Sequence, residues 1–232
     1  MDLHTLIFGV YPYVAITVFL LGSWIRFDNE QYTWKSDSSQ LLSKQGLRLA
    51  SNLFHVGIIG LFFGHAAGLL IPHGFFLALG VSDMTHQWTA ILAGTLFGGM
   101  CLLGAALLWL RRMFTPRVRA ASRWMDINIL GWLALTAFLG LSTIPVSIHH
   151  ANAGDAGTMI LLAEWVQSIA YLHPNPDLLR GVSLVYKLHL FVGISVFLFF
   201  PFTRLVHVWS VPLTYLTRAY QVVRTKRGLI RS

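Results

Sequence analysis

Histidine is the residue type in this sequence that offers metal or redox chemistry, because the chain has ten histidines and one cysteine. The single cysteine, Cys101, excludes an intrachain disulfide, a self-contained iron–sulfur cluster, a zinc-ribbon site and a CxxCH attachment motif. The sequence also has no HExxH zinc motif. Any metal or redox centre in this protein therefore depends on the histidines.

Four of the histidines lie well inside long apolar stretches, namely His55, His65, His189 and His207. The others fall at the ends of such stretches or between them: His4, His73, His86, His149, His150 and His173. On an ideal helix, His189 and His207 point the same way, about 27 Å apart along the axis. His55 and His65 point within about 80° of each other, roughly 15 Å apart. Each stretch therefore presents two imidazoles on one helix face.

The composition excludes an ordinary soluble protein. Of the 232 residues, 55% are hydrophobic and 11% are charged, and the mean hydropathy is +0.62, whereas soluble domains carry about 25% charged residues. A net charge of +8 and a pI near 10.1 would suit a nucleic-acid-binding protein only if a soluble core carried the basic residues. We therefore expect a membrane protein and no nucleic-acid partner.

Hydropathy predicts an all-α integral membrane protein with five transmembrane helices. Four stretches without Lys, Arg, Asp or Glu exceed the ~20 residues that cross a bilayer, at residues 3–25, 49–82, 84–110 and 127–154. A fifth span, residues 182–209, carries Lys187 and Arg204 near its ends, from which they can reach the interfaces. Residues 156–172 are apolar but short and contain Glu164 and Gln167, which predicts a helix on the membrane surface. The chain then divides into a bundle, 1–209, and a basic tail, 210–232.

The distribution of basic residues predicts the orientation of the bundle. Every Lys and Arg except Arg180 and Lys187 lies in the connection between spans one and two, in that between spans three and four, or from the end of span five onward. Because positive residues concentrate on the cytoplasmic side, the N-terminus is predicted outside and the C-terminus inside. Spans two and five are then antiparallel, with His65 and His189 at an outer level and His55 and His207 at an inner level.

Two levels of paired imidazoles in a helical bundle suit two non-covalent b-type haems, each iron bound by one histidine from each helix. Gly57, Gly64 and Gly68 lie to one side of His65 and leave room for a macrocycle, and Gly193 does so near His189. The unequal axial separations require differential tilt and a kink at Pro201. For any one histidine or glycine, an interhelical hydrogen bond or a packing face is an equally ordinary role.

At these residues the sequence resembles the cytochrome b (gamma) subunit of membrane-bound respiratory nitrate reductase. The resemblance rests on the following segments: Tyr11-Pro12-Tyr13, GSWIRFDNEQYTWKSDSSQLL from Gly22, LASNLFHVGIIGLFFGH from Leu49, RRMFTPRVRA from Arg111, LHLFVG from Leu188 and FPFTRLVHVWSVPLTYLTRAYQVVR from Phe200. These segments extend over nearly the whole chain and include loops and tail as well as apolar runs.

The resemblance implies a function and a location. It implies a dihaem subunit of the bacterial cytoplasmic (inner) membrane that anchors the complex, oxidises quinol near the outer face and passes electrons to a cytoplasmic iron–sulfur subunit. That subunit would serve a molybdenum catalytic subunit that reduces nitrate. The family's axial ligands fall on the four histidines above, with His65/His189 outer and His55/His207 inner.

The implied quinol site lies around Gly64 and His65. Family members place a lysine in the loop after span two, but this chain has no lysine between Lys44 and Lys187. Thr85 or His86 occupies the matching region, and His86 is the candidate replacement.

Basic residues at the inner interface have candidate roles as well. Arg111, Arg112 and Arg204 are candidates to pair with the propionates of the inner haem, with positive-inside anchoring as the alternative. The tail 210–232 is expected to dock on the partner subunit, or else to bind anionic lipid.

Two other functions remain open on sequence grounds. The chain would serve equally as the cytochrome b of another respiratory complex, for example one linked to sulfite reduction. The sequence of the membrane part does not indicate which terminal electron acceptor the complex uses. It would also serve as a haemless membrane anchor. The copurifying subunits and a visible spectrum discriminate between these functions.

Overall fold

The computed structural model describes residues 2–30, 34 and 46–210, and these fold into helices joined by short connections. The α-helices are α1 (Leu3–Thr5), α2 (Tyr11–Asn29), α3 (Leu47–His65), α4 (His73–Ala78), α5 (Asp83–Phe114), α6 (Pro116–Ala120), α7 (Trp124–Asn152), α8 (Gly157–Ala170) and α9 (Leu184–Phe199). Two π-helical segments, Leu6–Val10 and Ala66–Leu70, join α1 to α2 and extend α3. Three 3₁₀ segments follow later, at Pro176–Leu179, Phe200–Phe202 and Arg204–Ser210. The predicted tail beyond Ser210 lies outside the described residues.

Five helical segments are long and apolar enough to cross a membrane, which confirms the predicted number of spans. They are Leu3–Asn29, Leu47–Leu70, Asp83–Phe114, Trp124–Asn152 and Leu184–Phe202. Helix α8 is not among them, because its 14 residues cover only about 21 Å, less than the ~30 Å of a hydrocarbon core.

The ends of the long helices follow from local sequence. Ser82 caps α5 by accepting a hydrogen bond from the backbone N–H of Thr85 at 3.2 Å, and Asp83 lies in the first turn, where the helix dipole favours a negative charge. Helix α5 ends at Phe114, two residues before Pro116, which cannot continue the hydrogen-bond ladder. Local residues therefore set the length of the longest span.

The spans pack in the order α3, α5, α7, α9, α2. Glycine allows close packing of α3 on α5, because a Cβ atom on Gly57 would lie 2.7 Å from the carbonyl oxygen of Phe97. The core between α3, α5 and α7 contains Phe54, Cys101, Ala105, Ile129, Leu133 and Ala137. A second core lies between the start of the chain, α8 and α9 and contains Phe8, Trp165, Ile169, Leu179, Val182 and Tyr186.

The fifth span is predicted over residues 182–209 with a kink at Pro201, and the structure ends the α-helix at this proline. Helix α9 ends at Phe199, and the chain passes through a 3₁₀ turn containing Pro201 into extended backbone at Thr203, with φ −119° and ψ 177°. Proline lacks the N–H that an α-helix needs, so the ladder ends here. Arg26 of α2 stabilises the break, because its Nη1 donates to the carbonyl oxygens of Pro201 and Thr203 at 2.5 and 2.8 Å. His207 therefore lies beyond α9, in the 3₁₀ segment Arg204–Ser210.

Candidate functional site

The structure brings the four apolar-segment histidines together in two pairs. The ring centroids of His65 and His189 lie 6.2 Å apart, with 41° between the ring planes. Those of His55 and His207 lie 6.4 Å apart, with 67° between the planes. Both pairs join α3 to the α9 segment, as the sequence predicts. The break after α9 removes the mismatch in axial separation, because His189 and His207 do not share one straight helix.

Each of the four imidazoles has its Nδ1 atom held by a backbone carbonyl. The acceptors are Ser51 for His55 (2.7 Å), Leu61 for His65 (2.7 Å), Thr136 for His189 (3.1 Å) and Arg204 for His207 (2.5 Å). Because a carbonyl oxygen only accepts, Nδ1 is the donor and Nε2 keeps its lone pair in every ring. A hydrogen bond from Nδ1 to a carbonyl is typical of a histidine that binds a metal through Nε2, since it fixes both the tautomer and the ring orientation.

The spacing of the rings fits a six-coordinate iron with two axial imidazoles. An iron ion lies about 2 Å from each nitrogen that binds it, so two rings on opposite sides of one iron have centroids roughly 6 Å apart. Among the residues that the structure describes, no group of three or more His, Cys, Asp or Glu could hold a metal ion. A porphyrin carries four ring nitrogens of its own, so a pair of imidazoles at this spacing is suited to hold a haem.

The glycines near the histidines divide into two groups. A Cβ on Gly64 would have no heavy atom within 4 Å, and one on Gly193 would meet only the Thr136 methyl group at 3.8 Å, so both leave space beside a ring. The expectation that Gly57 provides such space is wrong, because this residue packs on the backbone of α5. Gly60 likewise packs against the ring of Phe97. Gly57 and Gly64 are seven residues apart and lie within about 20° on the helix, so the close packing and the open space occur at different levels along α3.

Gly140 on α7 is a site residue that sequence reasoning missed. A Cβ atom there would lie 2.9 Å from Cε1 of His189, so only glycine lets the imidazole rest on the helix. The same turn of α7 supplies the carbonyl oxygen of Thr136 that accepts from Nδ1 of His189. The signal in the sequence was a glycine within an apolar span, which is too common to identify a cofactor contact.

His86 lies at the start of α5, near the end of α3 that carries His65. Its ring is half-buried and packs on Phe76, with centroids 4.2 Å apart, and a Cβ on Gly68 would lie 3.6 Å from its Nε2. The recess beside it has a free volume of about 10 Å³, which is close to the space of one water molecule. The recess is too small for a quinone ring.

The three arginines of the predicted inner site have different surroundings. Arg112 is buried, and its Nη1 donates to Oγ of Ser122 at 2.8 Å. Arg204 lies next to the inner pair in the chain, since its carbonyl accepts from His207, and its Nε lies 3.9 Å from Oδ1 of Asp126. Arg111 is half-buried and lies beside Arg112 in the last turn of α5.

Helix α8 contacts both π-helical segments through side-chain donors. Trp165 donates its indole N–H to the carbonyl oxygen of Phe8 at 3.0 Å. Gln167 donates from Nε2 to the carbonyl oxygens of Leu69 and Ile71 at 3.1 and 3.2 Å. The π segment that follows His65 is therefore held from the side by α8, a role that the sequence signalled only by a polar residue within an apolar helix.

Comparison with known proteins identifies the family. Residues 4–226 match the profile of the family described as nitrate reductase gamma subunit. The chain belongs to this family. It is 47% identical over 225 residues to respiratory nitrate reductase 1 gamma chain of Escherichia coli, covering 97% of this chain and 98% of that protein. It is 36% identical over 221 residues to nitrate reductase gamma chain of Bacillus subtilis, with 95% and 98% coverage.

A second gamma chain of Escherichia coli, that of respiratory nitrate reductase 2, is 47% identical over 227 residues. The matches cover nearly all of each relative, so the similarity includes the connections as well as the apolar spans. The predicted resemblance to the gamma subunit of respiratory nitrate reductase is confirmed. The chain is a membrane anchor subunit with five helices able to span the bilayer.

Proposed function

We propose that this chain is the dihaem cytochrome b subunit of a respiratory nitrate reductase, oxidising quinol and delivering electrons to a cytoplasmic iron–sulfur subunit. The observation that supports the proposal is the two pairs of imidazoles that α3 forms with the α9 segment, with centroids 6.2 and 6.4 Å apart. Two bound b-type haems supply one-electron transfer between the quinol side and the partner side of the membrane.

The residues of this chain hold and orient the two groups. His65 and His189 would hold the outer iron through Nε2, and His55 and His207 would hold the inner iron, because Nδ1 is engaged with a carbonyl in each ring. Gly64 and Gly193 leave space beside the outer pair. Arg111, Arg112 and Arg204 are the residues that would pair with the propionates of the inner haem.

The quinol head group binds at the outer end, against the open side of Gly64 and His65. His86 lies within reach of this end and accepts a proton from the quinol, because a neutral imidazole keeps a lone pair on one ring nitrogen. The recess beside His86 has room for one water molecule and not for a quinol ring. His86 therefore contacts the quinol hydroxyl only through the edge of its imidazole.

The charge pattern and the family support the proposed sidedness and partners. The connection containing Arg117, Arg119 and Arg123 is basic, which favours a cytoplasmic location. The iron–sulfur subunit and the molybdenum catalytic subunit then assemble on that side, and the tail 210–232 docks on them.

A topology experiment tests the sidedness. Reporter fusions after Arg123 should be active as cytoplasmic fusions, and fusions after Gly80 and Asn175 should be active as external fusions. A cytoplasmic result at Asn175 would mean that α8 crosses the membrane and that the five-span arrangement fails.

The function itself is tested on the complex purified from membranes. We expect the gamma chain to copurify with an iron–sulfur and a molybdenum subunit, and its b-type haem bands to be reduced by duroquinol and reoxidised by nitrate. A complex without haem bands would leave a haemless anchor, and reoxidation by sulfite in place of nitrate would assign another respiratory complex.

A further inference from the structure

The recess beside His86 joins four segments at the outer end of the bundle. It is lined by Gly68 of the π segment, His73 and Phe76 of α4, His86 of α5, and Met159 and Ala163 of α8. Two of these residues are histidines, and its free volume of about 10 Å³ matches one water molecule. A small recess with two imidazoles is suited to move protons rather than to bind an organic ring.

The carboxylate of Asp83 lies next to His73, on the exposed side of the recess. Nδ1 of His73 lies 3.4 Å from Oδ1 of Asp83, and the two side chains are 33% and 38% exposed. His73 and Asp83 also act electrostatically on His86. The groups therefore run from the half-buried His86 to a pair that is open to the aqueous side.

We propose that His86, His73 and Asp83 form the outlet by which protons of the quinol leave the protein. This inference rests on the proposed quinol oxidation. Oxidation of a quinol to a quinone breaks two O–H bonds and releases two electrons and two protons, and the electrons leave toward the outer haem. Each proton passes to Nε2 of His86 and through one water to His73. Asp83 stabilises the imidazolium of His73 until the proton reaches the aqueous phase, so that His86 is neutral again for the second proton.

The surroundings of His86 favour this route over others. The titratable groups that face it are His73 of α4 and Asp83 of α5. Helix α8 faces the recess with Met159, Ile160 and Ala163, and the π segment and the residue after it face the recess with Gly68 and Ile71. These apolar residues offer no second proton path on that side of the ring.

The test uses the whole complex in lipid vesicles with duroquinol as the donor. The variants are His86→Gln, His73→Ala and Asp83→Asn, and His149→Gln is the matched control, because it removes an outer-end histidine of α7 that does not line the recess. Haem bands before mixing check that each variant folds. We expect the rate of haem reduction to fall on the order of 10-fold in His73→Ala and Asp83→Asn, and up to roughly 10²-fold in His86→Gln.

Two readouts separate a proton relay from a structural role. Added imidazole should restore the rate of His73→Ala, and a pH-sensitive dye outside the vesicles should show that acidification lags behind haem reduction in Asp83→Asn but not in the control. Unchanged rates in all three variants, or slow variants that imidazole does not rescue, would overturn the outlet. If duroquinol fails to reduce haem in the unmutated complex, it is the proposed function that fails.

Discussion

The ring centroids of His207 and His55 lie 6.4 Å apart, although His207 lies beyond the break that ends α9. The break is held by Arg26, whose Nη1 donates to the carbonyl oxygens of Pro201 and Thr203. A helix that stopped without such a donor would leave the carbonyls of two buried residues unsatisfied, at a cost of about 1–3 kcal/mol each. The geometry of the inner pair therefore depends on a residue of another helix.

Arg26→Met should disturb the inner haem selectively. The substitution keeps much of the side-chain volume but removes two charged hydrogen bonds, each of which contributes roughly 1.5–3 kcal/mol. We expect lower inner-haem content or a shifted inner midpoint potential in a redox titration, with the outer haem unchanged. Arg117→Met, at an exposed position of α6, is the control. Equal effects on both haems would show that Arg26 acts on the bundle as a whole.

Much of the site could be predicted from the sequence because helix geometry fixes the spacing of side chains. The spacing of His55 and His65 on one helix and the antiparallel course of the spans were enough to choose partners for both. The break after α9 could be anticipated at Pro201 but not its shape, because that shape depends on Arg26, which is distant in the sequence. The proximity of Gly140 to His189 likewise depends on how α7 packs, which no local pattern encodes.

Gly57→Ala should destabilise the bundle. The new methyl group would lie 2.7 Å from the carbonyl oxygen of Phe97 and 2.8 Å from Cα of Cys101, and backbone atoms of a neighbouring helix cannot move aside cheaply. Overpacking of this kind costs about 1–3 kcal/mol, which thermal unfolding in detergent will measure. Gly99→Ala on α5 is the matched control, because its methyl group meets nothing within 4 Å. Equal melting temperatures for the two variants would contradict the close approach of α3 and α5.

Gln167→Met should loosen the π segment that follows His65. The variant loses the donor to the carbonyl oxygens of Leu69 and Ile71 while keeping a side chain of similar length. We expect faster amide hydrogen exchange over residues 66–72, followed by mass spectrometry. Glu164→Gln, on an exposed position of the same helix, should exchange like the unmutated protein. No change in Gln167→Met would mean that α8 does not hold this segment.

The contacts of Asp2 with Thr5 and Arg180 at the start of the chain should weaken in acid. Hydrogen bonds from the side chain and backbone of Thr5, and then from Arg180, hold the pKa of the Asp2 carboxyl well below its ordinary value of 3.8. Because the folded pKa is depressed, the stabilisation is present above the ordinary pKa and is lost as the pH falls below it. Asp2→Asn should therefore melt earlier than the unmutated protein at neutral pH, and the difference should shrink in strong acid. A difference that does not change with pH would exclude the charge of Asp2 as its source, and Asp28→Asn provides the control.

The most direct test of the account is the assignment of ligands to the two haems. Haem content and redox titration should be measured in four single variants: His55→Ala, His65→Ala, His189→Ala and His207→Ala. The account predicts that the variants of His65 and His189 lose one and the same haem and that those of His55 and His207 lose the other. If the two members of either pair remove different haems, the pairing is contradicted, and if the unmutated complex contains fewer than two b-type haems, the proposed dihaem centre is contradicted.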